Sequence, residues 1–279
     1  MGKDSGKNRF KKEKKMEEIL TEIEWSQKLF EILEKESKVS NWIESERENG
    51  NLGLYFPELL ECFGVAQNQY HKYDVYYHLL YSCDAAFETK KEIRIAALFH
   101  DIGKPLKKSQ KGGTAVFYNH EIAGTDIAYR VLTRWGCEKK LIRKITLLIR
   151  YHMFHYLDEW KDSAVRRLLK KVGRQNLEDL FLLRVADREG NGTRKGEPMK
   201  LKDFRGRIQK LIDEEKRFKI KDLAVSGADV MGFGIPQSPL IGEVLKWLFQ
   251  RVTEGSLENN FEILKNEAKK YLEEKIKTS

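Results

Sequence analysis

The chain has 279 residues, enough for one large domain or two small ones, with a formal net charge of +9 and a charged fraction of 34%. This composition favours helices with solvated outer faces, and it favours RNA or nucleotides as partners over cationic substrates. Three widely spaced cysteines without a CxxC pair argue against a disulfide framework or a thiolate zinc site, so we expect a cytoplasmic protein. Because no apolar run approaches the roughly 20 residues of a membrane span, and no signal peptide is evident, we expect neither export nor membrane insertion.

The N-terminal region is predicted to be a basic tail followed by helices. Residues 1–15 are rich in lysine and almost free of apolar side chains, which predicts a disordered tail. Contact of this tail with RNA and simple solvation both remain open, solvation being the commoner behaviour. Residues 16–53 are expected to hold N-terminal helices, because apolar residues recur at helical spacing from Ile19 to Leu33 and again near Val39–Ile43.

The rest of the chain reads as helix after helix. Residues 54–198 are expected to form a metal-binding domain and residues 199–279 a C-terminal helical region packed on or beside it. The predicted helices span about 70–87, 93–102, 121–135, 139–152, 163–172, 177–188, 201–216, 241–253 and 261–275, with a turn at 226–239. One hairpin is expected at 107–117, around Gly112-Gly113.

The histidines and nearby aspartates predict a metal site. All six histidines lie between positions 71 and 155, and His100-Asp101 ends an apolar helix just before a turn. Imidazole and carboxylate groups brought from separate helices can hold Mn, Fe, Ni, Zn or Mg inside a bundle. His78, His100, Asp101 and Asp187 are candidates for that set. The alternative, unconnected polar residues, is disfavoured because a bare carboxylate such as Asp187 is costly in its apolar helix.

The order His78, His100-Asp101-Ile-Gly-Lys104, Asp187 resembles the HD superfamily of metal-dependent phosphohydrolases. The resemblance implies an all-α fold, an HD-domain helical bundle with extra N- and C-terminal helices. It also implies His78, His100, Asp101 and Asp187 as primary metal ligands, with Lys104 near the substrate phosphate. His120 in YNHEIAG and His152 in IRYHM match two further histidines of HD proteins that hold two metals, so we expect one or two divalent ions.

A narrower resemblance runs from about Leu54 to the C-terminus. The stretches YHKYDVYYH, LFHDIGKP, FYNHEIAG and DLAVSGADVMGFGIPQSPLIGEVLKWL are similar to the HD-bearing C-terminal half of bacterial tRNA nucleotidyltransferases, the CCA-adding enzymes. The residues before 54 do not resemble the nucleotidyltransferase head of that family. We therefore expect no CCA addition by this chain alone, and a separate nucleotidyltransferase chain is a candidate partner.

The predicted function is hydrolysis of a phosphomonoester or phosphodiester in nucleotides or RNA ends, with the ends of tRNA as one candidate. Asp101 and Lys104 are the catalytic candidates: Asp101 would bridge two ions, and Lys104 would offset charge developing on the phosphate. Alternatively, the positive charge of Lys104 stabilises the negative end of a helix dipole at a helix C-terminus. Arg150 and His155 are candidate substrate contacts. The alternatives are that Arg150 lies on a solvated helix face and that His155 is a structural histidine. Asp74 either orients His78 or is simply solvated.

A second function of a different class stays open. In it, the chain is a non-catalytic module that binds tRNA or another RNA, or a partner module of a split tRNA nucleotidyltransferase system, and the metal is structural. The basic balance and the dissimilar residues before 54 favour this alternative.

Overall fold

The computed structural model of the protein describes residues 21–69, 71–154, 156, 160–233 and 238–278. The first helix, α1, is described over 21–35. The other elements are α2 (Val39–Glu48), α3 (Asn51–Tyr55), α4 (Pro57–Leu60), α5 (Val75–Ala85), α6 (Lys91–Phe99), α7 (Lys104–Lys107), β1 (Ser109–Lys111), β2 (Thr114–Val116), α8 (His120–Arg134), α9 (Lys139–Tyr151), α10 (Asp162–Val172), α11 (Arg174–Gly190), α12 (Met199–Arg217), a 3-10 turn (Ile220–Asp222), α13 (Gly227–Gly232), α14 (Pro239–Thr253) and α15 (Phe261–Thr278). The predicted all-α class is confirmed.

The described residues divide into two compact units. The first unit contains those up to Phe154 together with Asn176–Glu197, and the second contains the residues between these segments together with those from Pro198 onward. The N-terminal helices thus belong to the first unit, while α10 belongs to the second. The domain boundaries expected from the sequence, at 53/54 and 198/199, stay a prediction. Among the helices that the structure describes, none is long and apolar enough to cross a membrane.

The core of the first unit is built around α6, whose residues from Ile93 to Phe99 are all buried. This helix packs against α5 and α9, and α9 packs against α8. A buried arginine, Arg94, fastens the end of α1 to this core by donating to the backbone carbonyls of Leu33 and Glu36. Because α5, α6, α8 and α9 meet in one core, side chains near their ends are brought together.

The hairpin expected near Gly112-Gly113 is confirmed. β1 and β2 pair antiparallel in the register Ser109↔Val116, Gln110↔Ala115 and Lys111↔Thr114. Both glycines have positive φ angles, 57° and 76°, as a two-residue type I′ turn requires at its two central positions. This hairpin is therefore encoded by its turn, and it links the segment after Asp101 to the start of α8.

The second unit has its own apolar core, contributed mainly by α13, α14 and α15. Its buried members include Val230, Val244, Leu248 and Leu264. The turn predicted at 226–239 is wrong for its first half, where α13 forms. The cause is a capping box: the Ser226 hydroxyl accepts from the Asp229 amide, and the Asp229 carboxylate accepts from the Ser226 amide. Residues 234–237 of that predicted turn lie outside the described residues.

Candidate metal centre

The predicted metal-site residues lie at or near helix ends that meet in the first unit. His78 is in α5, His100-Asp101 directly follow α6, His120 opens α8, and His152 directly follows α9. Asp187 is near the end of α11. All six side chains are buried. The structure therefore brings together every metal-ligand candidate named from the sequence.

The turn after Asp101 lies against the first turns of α8 because of Gly103. A Cβ atom on Gly103 would lie 2.3 Å from the His120 carbonyl oxygen and 2.4 Å from the Gly124 amide nitrogen. Only glycine permits this approach without movement of one backbone segment. The close approach places Asp101 beside His120.

Four side chains form the first cluster. The Nε2 atoms of His78 and His100 are 3.0 Å apart. His78 Nε2 lies 3.2 Å from Asp101 Oδ2 and 3.3 Å from Asp187 Oδ1, and His100 Nε2 lies 3.4 and 3.7 Å from the same two oxygens. Two imidazoles and two carboxylates thus point at one small volume.

A second cluster uses the other oxygen of Asp101. Asp101 Oδ1 lies 3.0 Å from His120 Nε2 and 3.5 Å from His152 Nε2, and these two nitrogens are 3.3 Å apart. His78, His100 and Asp101 form one group able to hold a metal ion, and Asp101, His120 and His152 form another. Asp101 is therefore shared by two adjacent clusters through separate oxygens.

Hydrogen bonds fix which nitrogen of three of these histidines faces the clusters. The Nδ1 atoms of His100, His120 and His152 each lie within hydrogen-bond distance of a backbone carbonyl oxygen. The carbonyls belong to Ala97 at 2.8 Å, Phe117 at 2.7 Å and Ile149 at 2.7 Å. A carbonyl only accepts, so each Nδ1 carries a proton and each neutral ring turns its Nε2 lone pair inward. Converging lone pairs and carboxylates need a cation between them, and this donor set suits a divalent metal.

Without a metal, a proton on His100 supplies part of the positive charge that the clusters require. Burial lowers the pKa of His100, but the Asp101 and Asp187 carboxylates outweigh it and raise that pKa to about 10. Burial raises the pKa of the Asp187 carboxyl, but its histidine neighbours outweigh burial and hold that pKa well below its usual range. The site therefore favours positive charge at its centre. A metal ion that binds here displaces a proton from His100.

Lys104 contacts a candidate ligand directly. Its Nζ lies 2.5 Å from Asp101 Oδ2 and donates to Gln67 Oε1 at 2.6 Å, and it lies 5.4 Å from the centre of the Phe117 ring. Lys104 opens α7 and its side chain is buried, so the partners of its ammonium are a carboxylate and an amide oxygen of the site.

Gln67 is a site residue that the sequence analysis missed. Its Nε2 donates to the backbone carbonyls of Tyr73 and Asp74, at 3.2 and 3.3 Å, which turns Oε1 toward Lys104. No motif marks a glutamine 37 residues before its partner, so only the fold reveals the pair.

The remaining candidates lie around the centre or outside the described residues. Among the described contacts, the Asp74 carboxylate does not bind the His78 ring, nor is it simply solvated: it caps α5 by accepting from the Tyr77 amide, and it also accepts from the Gly64 amide. Both readings of Asp74 were therefore wrong. Arg150 is exposed and lies 3.8 Å from Glu121. His155, the other predicted substrate contact, lies outside the described residues.

His71 lies next to the first cluster. Its ring packs edge to face on His78, with centroids 5.5 Å apart, and its Nδ1 is 2.8 Å from Asn68 Oδ1. Burial, with a smaller contribution from the Lys104 charge, lowers the pKa of His71 to about 4. His71 is therefore a neutral, hydrogen-bonded group beside the clusters.

Comparison with known proteins agrees with this geometry. Residues 68–192, which hold all six clustered side chains, match the HD domain family. The chain therefore contains an HD domain, and the predicted resemblance to the HD superfamily is confirmed. HD domains bind divalent metals, and the His and Asp groups described above are able to hold one.

Among curated proteins, the chain is similar to tRNA nucleotidyltransferases. It is 31% identical to a CC-adding tRNA nucleotidyltransferase of Thermus thermophilus, over 74% of this chain and 47% of that protein. It is 28% identical to an A-adding tRNA nucleotidyltransferase of Deinococcus radiodurans, over 75% of this chain and 49% of that protein. A bifunctional uridylyltransferase/uridylyl-removing enzyme of Cereibacter sphaeroides is 27% identical over 52% of this chain and 18% of that enzyme. The chain thus spans about half the length of the two tRNA nucleotidyltransferases.

Proposed function

We propose that this protein is a divalent-metal-dependent phosphohydrolase, a phosphodiesterase or phosphatase acting on nucleotides or RNA ends. The observation that carries the proposal is the sharing of Asp101, whose two carboxylate oxygens each face a separate pair of histidines. Hydrolysis at phosphorus is a reaction that two adjacent cations assist well.

Each side chain has a role that follows from its position. In the proposal, His78, His100, Asp101 and Asp187 hold one ion, and Asp101, His120 and His152 hold a second. Divalent ions at such a centre supply Lewis-acid activation of water and neutralise phosphate charge. Lys104 keeps a positive charge within reach of Asp101 and is proposed to offset negative charge on the phosphate as the bond breaks. Burial of the cluster excludes bulk water, which strengthens these electrostatic effects.

The charge of the chain and its relatives support the substrate class. A formal net charge of +9 favours polyanions. The names of the Thermus and Deinococcus relatives refer to tRNA, and we extend that substrate class to this chain only as part of the proposal. Arg150 is proposed as a substrate contact, because it is exposed on the last turn of α9, next to His152.

The test is a phosphoester screen with defined metals. Purified protein is stripped with a chelator, reloaded separately with Mn, Ni, Fe, Mg or Zn, and assayed on phosphomonoesters, phosphodiesters, cyclic nucleotides and 3′-phosphorylated RNA. At least one metal should restore turnover. Lys104→Ala should lower that turnover while the bound metal stays, whereas the matched control Lys107→Ala, an exposed lysine of the same short helix, should leave turnover of the small phosphoesters unchanged. Absence of turnover with every metal and substrate contradicts the proposal.

The second candidate is the non-catalytic tRNA-binding or partner module. It is favoured by the extent of the similarity, since the match to the two tRNA nucleotidyltransferases covers about three quarters of this chain and exceeds the HD domain alone. To separate the two, the chain is incubated with tRNA lacking its 3′ end, magnesium and labelled CTP or ATP, alone and with a nucleotidyltransferase chain. We expect binding without incorporation by the chain alone. A metal-loaded protein that binds this tRNA but hydrolyses no phosphoester would favour the second candidate.

A further inference from the structure

The segment that joins the two clusters is strongly basic. Between Asp101 and Glu121 the sequence has four lysines and no acidic residue. One of them, Lys104, is buried against Asp101. The other three, Lys107, Lys108 and Lys111, are exposed, and they make no ion pair within the part of the chain that the structure describes. They therefore form a positively charged edge that no described ion pair neutralises.

Large apolar side chains are exposed on both sides of the same hairpin. Leu106, two residues after Lys104, is 62% exposed, and Tyr118, two residues before His120, is also 62% exposed. The preceding residue, Phe117, is not turned outward in the same way, because its ring packs against the Lys104 ammonium. Tyr118 is not among the buried core side chains, so its ring is available to a ligand.

We infer that Leu106, Lys107, Lys108, Lys111 and Tyr118, here called the hairpin surface, bind single-stranded nucleic acid and guide its end toward the metal clusters. Lysines neutralise successive phosphates, and an aromatic ring stacks on an unpaired base of any sequence. The surface is continuous in sequence with Lys104 on one side and with His120 on the other. Both flanking residues contact Asp101, Lys104 at 2.5 Å and His120 at 3.0 Å, so the two ends of the segment that carries this surface lie at the clusters.

A single strand fits this surface better than a second protein does. A protein interface would need a larger apolar area with fewer charges at its centre, whereas three exposed lysines interrupt this one. A base-paired duplex hides its base faces and offers nothing for Tyr118 to stack on. The guiding of substrate rests on the proposed phosphohydrolase function, but the binding of the strand does not.

Binding and turnover are measured separately. Binding of a fluorescein-labelled single-stranded oligoribonucleotide is followed by anisotropy over a range of salt concentrations. The triple variant Lys107→Ala/Lys108→Ala/Lys111→Ala should weaken binding by roughly 10- to 100-fold at about 0.1 M salt and flatten the salt dependence, since each lost phosphate contact removes about 0.7 from the slope of log K against log salt. Tyr118→Ala should weaken binding about fivefold or more.

The matched control removes the same charge elsewhere. Lys202, Lys210 and Lys221 are exposed lysines of the second unit. Changing these three to alanine should affect oligoribonucleotide binding much less. Turnover of a small phosphodiester by the hairpin triple variant should stay at the wild-type level, while turnover of a 3′-phosphorylated oligoribonucleotide falls, because the small substrate does not reach the surface.

Three results overturn the inference. One is unchanged oligoribonucleotide affinity in both hairpin variants, and the second is an equal loss in the control triple variant. The third is a concentration-dependent dimer that Tyr118→Ala abolishes, because it assigns the surface to a second copy of the chain. If the wild type hydrolyses no phosphoester but binds the strand through the hairpin surface, the proposed function fails and the binding inference stands.

Discussion

Replacing Gly103 by alanine tests how the structure holds Asp101 beside His120. The added Cβ would lie 2.3 Å from the His120 carbonyl oxygen and 2.4 Å from the Gly124 amide nitrogen. Ordinary contacts begin near 3.4 Å, so the turn and the start of α8 must separate by about 1 Å. Overpacking of this kind costs about 1–3 kcal/mol, which corresponds to a fall in Tm of about 2–12 °C. The same displacement moves His120 away from Asp101, so metal held by the second cluster should be lost.

The assay compares Tm and metal content of Gly103→Ala with those of Gly124→Ala. Gly124 is the matched control, because its Cβ would meet atoms only at 3.5 Å, and alanine is favoured over glycine inside a helix by about 1 kcal/mol. We expect Gly124→Ala to be as stable as the wild type or more stable, with its metal retained. If Gly103→Ala keeps both the wild-type Tm and the wild-type metal content, the close approach does not position the centre.

Two further predictions concern the proton and the glutamine at the centre. In metal-free protein, the carboxylates overcome burial and raise the pKa of His100 to about 10, so the stabilisation from its proton is full below pH 6.5 and is lost as pH rises toward 10. Thermal melts of chelator-treated protein should show Tm falling through that window, and a flat profile would contradict the charge balance. Gln67→Leu should lower kcat and cost about 1–3 kcal/mol of unfolding free energy while metal content stays, because it removes an acceptor of Lys104 and the donor to the Tyr73 carbonyl. Loss of metal in that variant would instead place Gln67 in support of the ligands.

The clustering of the metal candidates followed from the sequence because their residue types and order are distinctive. His78, the pair His100-Asp101 and Asp187 come from three separate helical segments, and a buried carboxylate in an apolar helix calls for a partner. The hairpin could also be predicted from the sequence, because Gly112-Gly113 suits a two-residue turn that needs positive φ at both positions.

Other features depend on contacts that no local pattern records. The pairing of Gln67 with Lys104 is long-range, because it joins the loop before α5 to the first residue of α7. Asp74 was assigned by its helical spacing from His78, yet it precedes the helix and caps it. The turn predicted at 226–239 did not take account of the capping box of Ser226 and Asp229, which starts α13.

Asp101 faces both clusters through separate oxygens, so Asp101→Ala should lose metal, which elemental analysis of the purified variant measures. The matched control is Asp179→Ala, which removes another buried carboxylate of the same unit, one that pairs with Lys90 and Lys144 and not with the clusters. Both variants should be less stable than the wild type, but only Asp101→Ala should lose the divalent metal. Wild-type metal content in folded Asp101→Ala protein would contradict the account.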